Sequence, residues 1–208
     1  MKTIGTDSGS QSWFRSANCD GSYGAALLAT LGVILALSAT GQRGREALCY
    51  ERQALAHGQL WRLLSAHGVH LNPEHALLNG AGLTLLWILM AREYSPLRWV
   101  GILLGSALAI DAGLWFLRPG AEWYMGASGV LHGALAAGAA ALYRRGEGLG
   151  GALLLLLVVK LIYEQHSGAS VFIGDLPLVP DAHLFGALGG LIGALISARL
   201  PQRAPKPL

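Results

Sequence analysis

Long apolar stretches separated by short polar connections dominate the chain. Six stretches carry few or no charged residues, and each approaches the about 20 helical residues that cross a hydrocarbon core of about 30 Å. We interpret each stretch as a membrane-spanning helix. The predicted spans are residues 21–42, 75–91, 99–117, 123–143, 148–163 and 182–198. The pattern therefore predicts an all-α, polytopic membrane protein built as a bundle of six transmembrane helices.

The composition excludes the common soluble classes. Of the 208 residues, 53% are apolar and 13% are charged, and the mean hydropathy is +0.45. An ordinary soluble domain has about 25% charged residues, and disordered chains and coiled coils need at least as many. We expect one membrane domain at residues 23–198, with polar tails at residues 1–22 and 199–208.

Lysine and arginine residues predict the orientation of the helices. Nine of them fall on the side that holds both termini, five fall on the opposite side, and Lys160 lies within a span. By the positive-inside rule, both termini are cytoplasmic, so spans two, four and six begin at the outer face. We interpret the net charge of +3 as this topology signal and expect no nucleic-acid partner.

Polar residues cluster where spans two, four and six begin. His75 and Asn79 stand one helical turn apart in span two, while Ser128 lies near the start of span four and His183 near that of span six. Because polar side chains inside a bilayer are costly, such a cluster is typical of a functional site. The common starting side places these side chains at similar depth, facing one cavity. The residues expected to line that cavity beside them are Gly126, Ala127, Gly129 and His132.

Serine and histidine in this cluster indicate nucleophilic chemistry. A serine hydroxyl becomes a good nucleophile when a base such as histidine removes its proton, and His183 is the expected base. The resulting oxyanion requires donors that are already in place. Candidates are the Ser128 backbone N–H, the Asn79 amide and the His75 ring. Neither a metal ion nor a cofactor is expected.

Small residues predict close packing of spans four and six. Gly129 and Gly133 are four residues apart in one span, as are Gly186 and Gly190 in the other. Such spacing lets two helix backbones approach closely, which brings the starts of both spans together. Taken singly, a serine among glycines or a histidine at a helix end is more often a packing or anchoring residue. Their combination on one side of the membrane is what favours catalysis.

Three motifs resemble those of the rhomboid intramembrane serine proteases. They are His75-x-x-x-Asn79, Gly126-x-Ser128-Gly129 and Ala182-His183-x-x-Gly186, in that family's order and on its second, fourth and sixth helices. The resemblance implies a rhomboid-like six-helix bundle, a Ser128–His183 dyad, and an oxyanion held with the help of His75 and Asn79. Residues expected to have structural roles, from this resemblance or from packing, are Trp61, Arg62, His70, Gly186 and Gly190.

Finer features resemble one branch of that family, the rhombosortases. The matching stretches are residues 61–72, 126–133, 160–165 and 181–190. This resemblance implies a bacterial inner-membrane enzyme whose site opens toward the periplasm. Its substrates would be membrane-anchored exported proteins whose C-terminal tail carries a Gly-Gly-type motif, an apolar helix and basic residues. Glycine costs about 1 kcal/mol relative to alanine in a helix, so such a motif would ease local unwinding.

Several polar residues near the site leave alternatives open. His132 either makes an interhelical hydrogen bond, which we favour, or acts as a second base or a water-positioning group. Asp111 and Lys160 either pair with each other or Lys160 extends to the membrane interface. We prefer structural roles for both. Glu164 is predicted to begin the last outer loop, after span five.

Two other functional classes compete with a serine protease. A catalytically inactive rhomboid-like protein that binds membrane proteins is the main alternative, although such relatives usually lack the serine or the histidine. A small transporter is the other, but transporters tend to have inverted repeats and helices broken at mid-membrane. The sequence contains no such repeat, and its polar cluster lies near one face. We therefore favour a protease that cuts near the outer end of a substrate helix.

Overall fold

Six long helices make up most of the part of the chain that the structure describes. The computed structural model describes residues 18–167 and 179–199, so the predicted tails fall largely outside the described residues. The long helices are α1 (Gly21–Ser38), α5 (Pro73–Met90), α6 (Pro96–Ala112), α7 (Ser128–Arg144), α8 (Gly148–Ser167) and α9 (Pro180–Arg199). The short elements between them are α2 (Gly41–Leu48), β1 (Tyr50–Glu51), α3 (Arg52–Ala56), α4 (Arg62–Ser65), a 3-10 turn (Ala91–Glu93), a π-helical turn (Gly113–Leu117) and β2 (Trp123–Tyr124).

Most of these long helices can cross a membrane. Five helical segments within the described residues are long and apolar enough, namely Gly21–Ser38, Pro73–Glu93, Pro96–Leu117, Gly148–Ser167 and Pro180–Arg199. The predicted fourth span is α7, which has 17 residues and packs against α5, α6, α8 and α9 at the centre of the bundle. The predicted all-α, polytopic membrane protein is therefore confirmed, and most span boundaries agree to within a few residues.

Two predicted boundaries near the polar cluster are wrong. The fourth span does not begin at Trp123, because Trp123 and Tyr124 form β2, which pairs antiparallel with β1 in the connection between α1 and α5. Aromatic residues suit strands as well as membrane helices, so hydropathy alone does not separate the two. The fifth span does not end at Tyr163, because α8 continues to Ser167. Glu164 therefore lies inside a helix rather than at the start of a loop.

Arg62 holds the α1–α5 connection together. Its side chain is buried, and its guanidinium donates to the carbonyls of Glu46 at 2.8 Å and Cys49 at 2.7 Å and to the Gln59 side chain at 2.8 Å. The planar guanidinium can satisfy several acceptors at once, which suits it to join separate loop segments. The neighbouring Trp61 is more than half exposed and donates through its indole N–H to the Ala47 carbonyl.

Local capping signals determine where α5 and α6 begin. Asn72 precedes α5, and its side-chain oxygen accepts a hydrogen bond from the backbone N–H of His75 at 2.8 Å. Ser95 plays the same part for α6, and a proline occupies the first position of both helices. These caps satisfy backbone donors that the first turn of a helix leaves without partners. The cap on α5 also orients the turn that carries His75.

The predicted glycine contact between spans four and six is present between α7 and α9. A Cβ atom on Gly186 would overlap the carbonyl oxygen of Gly129, and one on Gly190 would overlap the carbonyl oxygen of Gly133. The two helix backbones are therefore in direct contact, as small residues allow. This seam of four glycines aligns the beginning of α7 with the beginning of α9.

Candidate active site

Ser128 is the first residue of α7 and follows a tightly held turn. Gly126 in that turn has φ of 121°, a conformation that favours glycine, and a Cβ there would press on the His75 ring. The Gly126 N–H donates to the Ala66 carbonyl at 2.9 Å, and its own carbonyl accepts from the Tyr124 hydroxyl at 2.7 Å. Burial raises the pKa of the Tyr124 phenol, which keeps this hydroxyl protonated as a donor. The turn before Ser128 is thereby fixed from both sides.

The side chains of Ser128 and His183 are in hydrogen-bonding contact. The Ser128 Oγ lies 2.9 Å from Nε2 of His183, which stands in the first turn of α9. His183 is buried, whereas Ser128 is only partly buried. A hydroxyl at this distance from an imidazole nitrogen can pass its proton to the ring. The helix packing described above is what brings these two residues of distant sequence position together.

Glu164 contacts the other side of the His183 ring, and sequence reasoning missed this. Its Oε2 lies 2.8 Å from Nδ1 of His183, and its side chain is fully buried. Lys160, one turn earlier on α8, contacts Oε1 of Glu164 at 2.5 Å. In the sequence, the four-residue spacing of lysine and glutamate within an apolar stretch is the feature that could have predicted a buried Glu164. An acid and a base one turn apart can enter the bilayer as an ion pair.

His132 lies beside the serine–histidine contact. Its ring stacks on that of His183, with centroids 4.1 Å apart and planes inclined by 12°. Its Nδ1 lies 2.7 Å from the Ser128 carbonyl oxygen, and its Nε2 lies 2.8 Å from Nζ of Lys160. The contact with Lys160 joins α7 to α8, which is the interhelical hydrogen bond that we favoured.

His75 and Asn79 lie along one face of α5 next to the Gly126 turn. Asn79 is buried and donates one amide hydrogen to the His75 carbonyl at 3.1 Å, which leaves its second amide hydrogen available. The Nε2 atom of His75 is buried, with no protein partner among the described residues. His70 meets His75 edge to face, with centroids 5.1 Å apart, and its Nε2 accepts from the Ala127 N–H at 3.4 Å.

Of the two alternatives left open for Asp111 and Lys160, the structure does not have the pairing of one with the other. Asp111 on α6 lies 3.4 Å from Nε2 of His67 in the α1–α5 connection. Lys160 on α8 instead contacts Glu164 and His132. Helices α6 and α8 both pack against α7 and α9, and no contact between α6 and α8 themselves is among the main helix contacts of the described residues. Each of the two residues has a partner of its own within the protein.

One group of side chains has the composition of a metal site. His132, Glu164 and His183 each offer a ligand atom, and these atoms lie within 4.8 Å of one another. The ammonium group of Lys160 lies within hydrogen-bonding distance of both His132 and Glu164. A cation here would have to displace that positive charge. Hydrogen bonding among the side chains accounts for the arrangement instead.

The buried histidine His70 predicts a loss of stability in acid. Burial, together with the neighbouring His75, lowers the pKa of His70 to about 4, whereas an unfolded chain has a histidine pKa near its usual value of about 6.5. The unfolded state therefore binds more protons between these two values, and stability falls as the pH falls through them. We expect this histidine to account for up to about 3 kcal/mol of unfolding free energy between pH 6.5 and pH 4.

Thermal unfolding in detergent at several pH values tests this expectation. A His70→Gln variant should show a shallower decline in melting temperature on acidification than the wild type. Equal declines in the two proteins would show that His70 does not contribute. The other histidines supply the slope that remains in the variant.

The polar cluster places a serine–histidine contact among the apolar helices of a multi-pass membrane protein. The Rhomboid domain family matches residues 57–200, which is well over half of the chain and includes every site residue described above. The chain therefore belongs to the rhomboid family, whose members are intramembrane serine proteases that act on membrane-protein substrates within the bilayer. A search of curated proteins found no match.

Proposed function

We propose that this protein is an intramembrane serine endopeptidase in which Ser128 is the nucleophile and His183 is the general base and acid. The observation that carries this proposal is the 2.9 Å separation of Ser128 Oγ and His183 Nε2 in a multi-pass membrane protein of the rhomboid family. The partial exposure of Ser128 supports access by a substrate backbone, and the burial of His183 supports a fixed position for the base.

The chemical steps follow from this pair. Nε2 of His183 accepts the Ser128 proton as Oγ bonds to the scissile carbonyl carbon. The same nitrogen then gives the proton to the departing amine, which leaves an acyl-enzyme ester. Water, deprotonated by His183, attacks the ester and releases the new C-terminus and the serine. The N-terminus of α7 is the positive end of the helix dipole, which supports an oxyanion held by the Ser128 backbone N–H. Asn79 and His75 are the proposed side-chain donors.

The proposed substrates are membrane-anchored exported proteins with a C-terminal Gly-Gly-type tail, an apolar helix and basic residues. The resemblance of residues 61–72, 126–133, 160–165 and 181–190 to the rhombosortases supports this class. An extended backbone is needed for attack, and paired glycines weaken a helix where it must unwind. The excess of lysine and arginine on one side supports cytoplasmic termini. The resemblance to the rhombosortases supports a bacterial inner membrane, with the site open to the periplasm.

Labelling with a fluorophosphonate probe tests the nucleophile without a known substrate. The purified full-length protein should be labelled, and Ser128→Ala and His183→Ala should each abolish labelling. Ser106→Ala is the matched control, because Ser106 is a buried serine on α6 whose hydroxyl contacts only the Ile102 carbonyl among its hydrogen-bond partners in the described chain. Failure of the folded wild type to react would favour an inactive membrane-protein-binding relative. Labelling that persists in Ser128→Ala would identify another serine.

A further inference from the structure

We propose that Glu164 is a positioning residue that completes a Ser128–His183–Glu164 triad, held in its charged form by Lys160. This inference rests on the proposed function, because it assigns a further part of the same reaction. Glu164 approaches Nδ1 of His183 at 2.8 Å, on the side of the ring opposite to the 2.9 Å contact with Ser128. The three side chains come from α7, α9 and α8, so the packing of three helices defines their alignment.

The hydrogen bonds form a closed ring that starts and ends at the serine. Ser128 contacts His183, His183 contacts Glu164, and Glu164 contacts Lys160. Lys160 contacts His132, and His132 returns to the carbonyl oxygen of Ser128. Each of the five residues therefore has two partners within the ring. An arrangement closed in this way restricts the rotation of every member.

This closed set of hydrogen bonds determines which atom carries each proton. The Ser128 carbonyl can only accept, so Nδ1 of His132 carries the hydrogen and its Nε2 must accept. Lys160, which can only donate, supplies that hydrogen bond and a second one to Glu164. The Glu164 carboxylate is then an acceptor on both oxygens, so Nδ1 of His183 carries a hydrogen. The remaining nitrogen, Nε2, thus presents its lone pair to the Ser128 hydroxyl.

This tautomer is the one that the reaction requires. When the serine attacks, its O–H bond breaks and an N–H bond forms at Nε2, so that His183 becomes a cation. Glu164 stays unprotonated and stabilises that cation through the Nδ1 hydrogen. Without the carboxylate, the His183 imidazole can take up the other tautomer. In that tautomer Nε2 carries the hydrogen and cannot accept the serine proton. Glu164 thus acts through His183 and not on the substrate.

Lys160 and His132 support the carboxylate and the base from two directions. A lone carboxylate is costly inside a bilayer, and the ammonium one turn away on α8 neutralises it. The stacked His132 ring covers one face of His183 and keeps its plane fixed. Among the described residues, the titratable groups around His183 are Glu164 from α8, with Lys160 beyond it, His132 from α7 and His75 from α5.

The rate of fluorophosphonate labelling of Ser128 in the purified full-length protein tests the positioning role. Glu164→Gln preserves the size of the side chain and should lower the labelling rate of the folded protein by about 10²–10⁴-fold. Its melting temperature should also fall, because the Lys160 ammonium loses its carboxylate partner. Glu164→Asp should recover part of the rate. Asp111→Asn is the matched control, because it neutralises another buried carboxylate beside a histidine, and it should label as the wild type does.

Nitrogen-15 NMR of labelled histidine supplies a readout that a purely structural role would not move. His183 should carry its hydrogen on Nδ1 in the wild type and become a mixture of tautomers in Glu164→Gln. Should Glu164→Gln fail to fold, the double variant Glu164→Gln/Lys160→Met removes both charges together and takes its place in both measurements. Labelling of the folded variant at the wild-type rate, with an unchanged tautomer, would overturn the proposal.

Probe labelling distinguishes a failure of the serine protease proposal from a failure of the role proposed for Glu164. Absence of probe labelling in the folded wild type would count against the serine protease itself. Wild-type labelling at Ser128 that is insensitive to Glu164→Gln would leave the protease intact and remove only the positioning role of Glu164.

Discussion

Alanine at Ser128 and alanine at His183 are each expected to reduce proteolysis by about 10³–10⁶-fold, and the double variant is expected to be no slower than either. The 2.9 Å contact between Oγ and Nε2 makes the two side chains one functional unit, so the loss of either removes the nucleophile's activation. The measurement is cleavage, in liposomes, of a reporter protein that ends in a Gly-Gly motif, an apolar helix and basic residues. Rates from the four proteins form a double-mutant cycle.

The control for this cycle is again Ser106→Ala, which should cleave at the wild-type rate. Each alanine substitution slows cleavage by some factor. A double variant that is slower by the product of the two factors would show that Ser128 and His183 act independently. A reporter in which leucines replace the two glycines tests the substrate class separately. Equal cleavage of the two reporters would count against the glycine tail while leaving the serine–histidine pair unaffected.

Alanine at Gly186 is expected to lower the unfolding free energy by about 3 kcal/mol and to suppress labelling of Ser128. The added Cβ would overlap the Gly129 carbonyl oxygen, so α7 and α9 could not remain in contact at that point. Because the seam sets the distance between Ser128 and His183, the same change separates nucleophile and base. Thermal unfolding in detergent and the probe-labelling rate measure the two effects.

Gly101→Ala is the matched control for the seam. Gly101 also lies within a long helix, α6, but a Cβ at this position would meet no atom within 4 Å. Alanine favours a helix over glycine by about 1 kcal/mol, so this variant should melt at or above the wild-type temperature. Equal melting temperatures and labelling rates for Gly186→Ala and the wild type would contradict the close contact.

Hydropathy and helical spacing predict much of this molecule. An apolar stretch of sufficient length has few structures open to it in a membrane, which is why the all-α fold was predictable. The proximity of Ser128 and His183 was predictable because both follow short polar segments on the same side of the bundle. The paired glycines then indicated which two helices are in contact.

Hydropathy does not predict other features of the structure. The pairing of β1 with β2 depends on backbone hydrogen bonds, and Trp123 contributes the same hydropathy to a strand as to a helix. Hydropathy predicts a loop at Glu164 because an acid usually ends an apolar stretch. Its burial depends on His183, a partner from another helix, as well as on Lys160 one turn earlier in α8. Asp111 likewise has a partner, His67, that only the packed fold identifies.

Backbone atoms oppose the glycines of the seam, and this limits how the sequence can evolve. No substitution in α7 removes the carbonyl oxygens that face Gly186 and Gly190, so a second mutation cannot compensate for a larger residue there. Gly113 differs, because a Cβ at that position would meet the ring of Phe185, which a smaller side chain would relieve. A larger residue at Gly113 can therefore be compensated by a smaller one at Phe185. A larger residue at any seam glycine instead disrupts the contact that aligns the serine with its base.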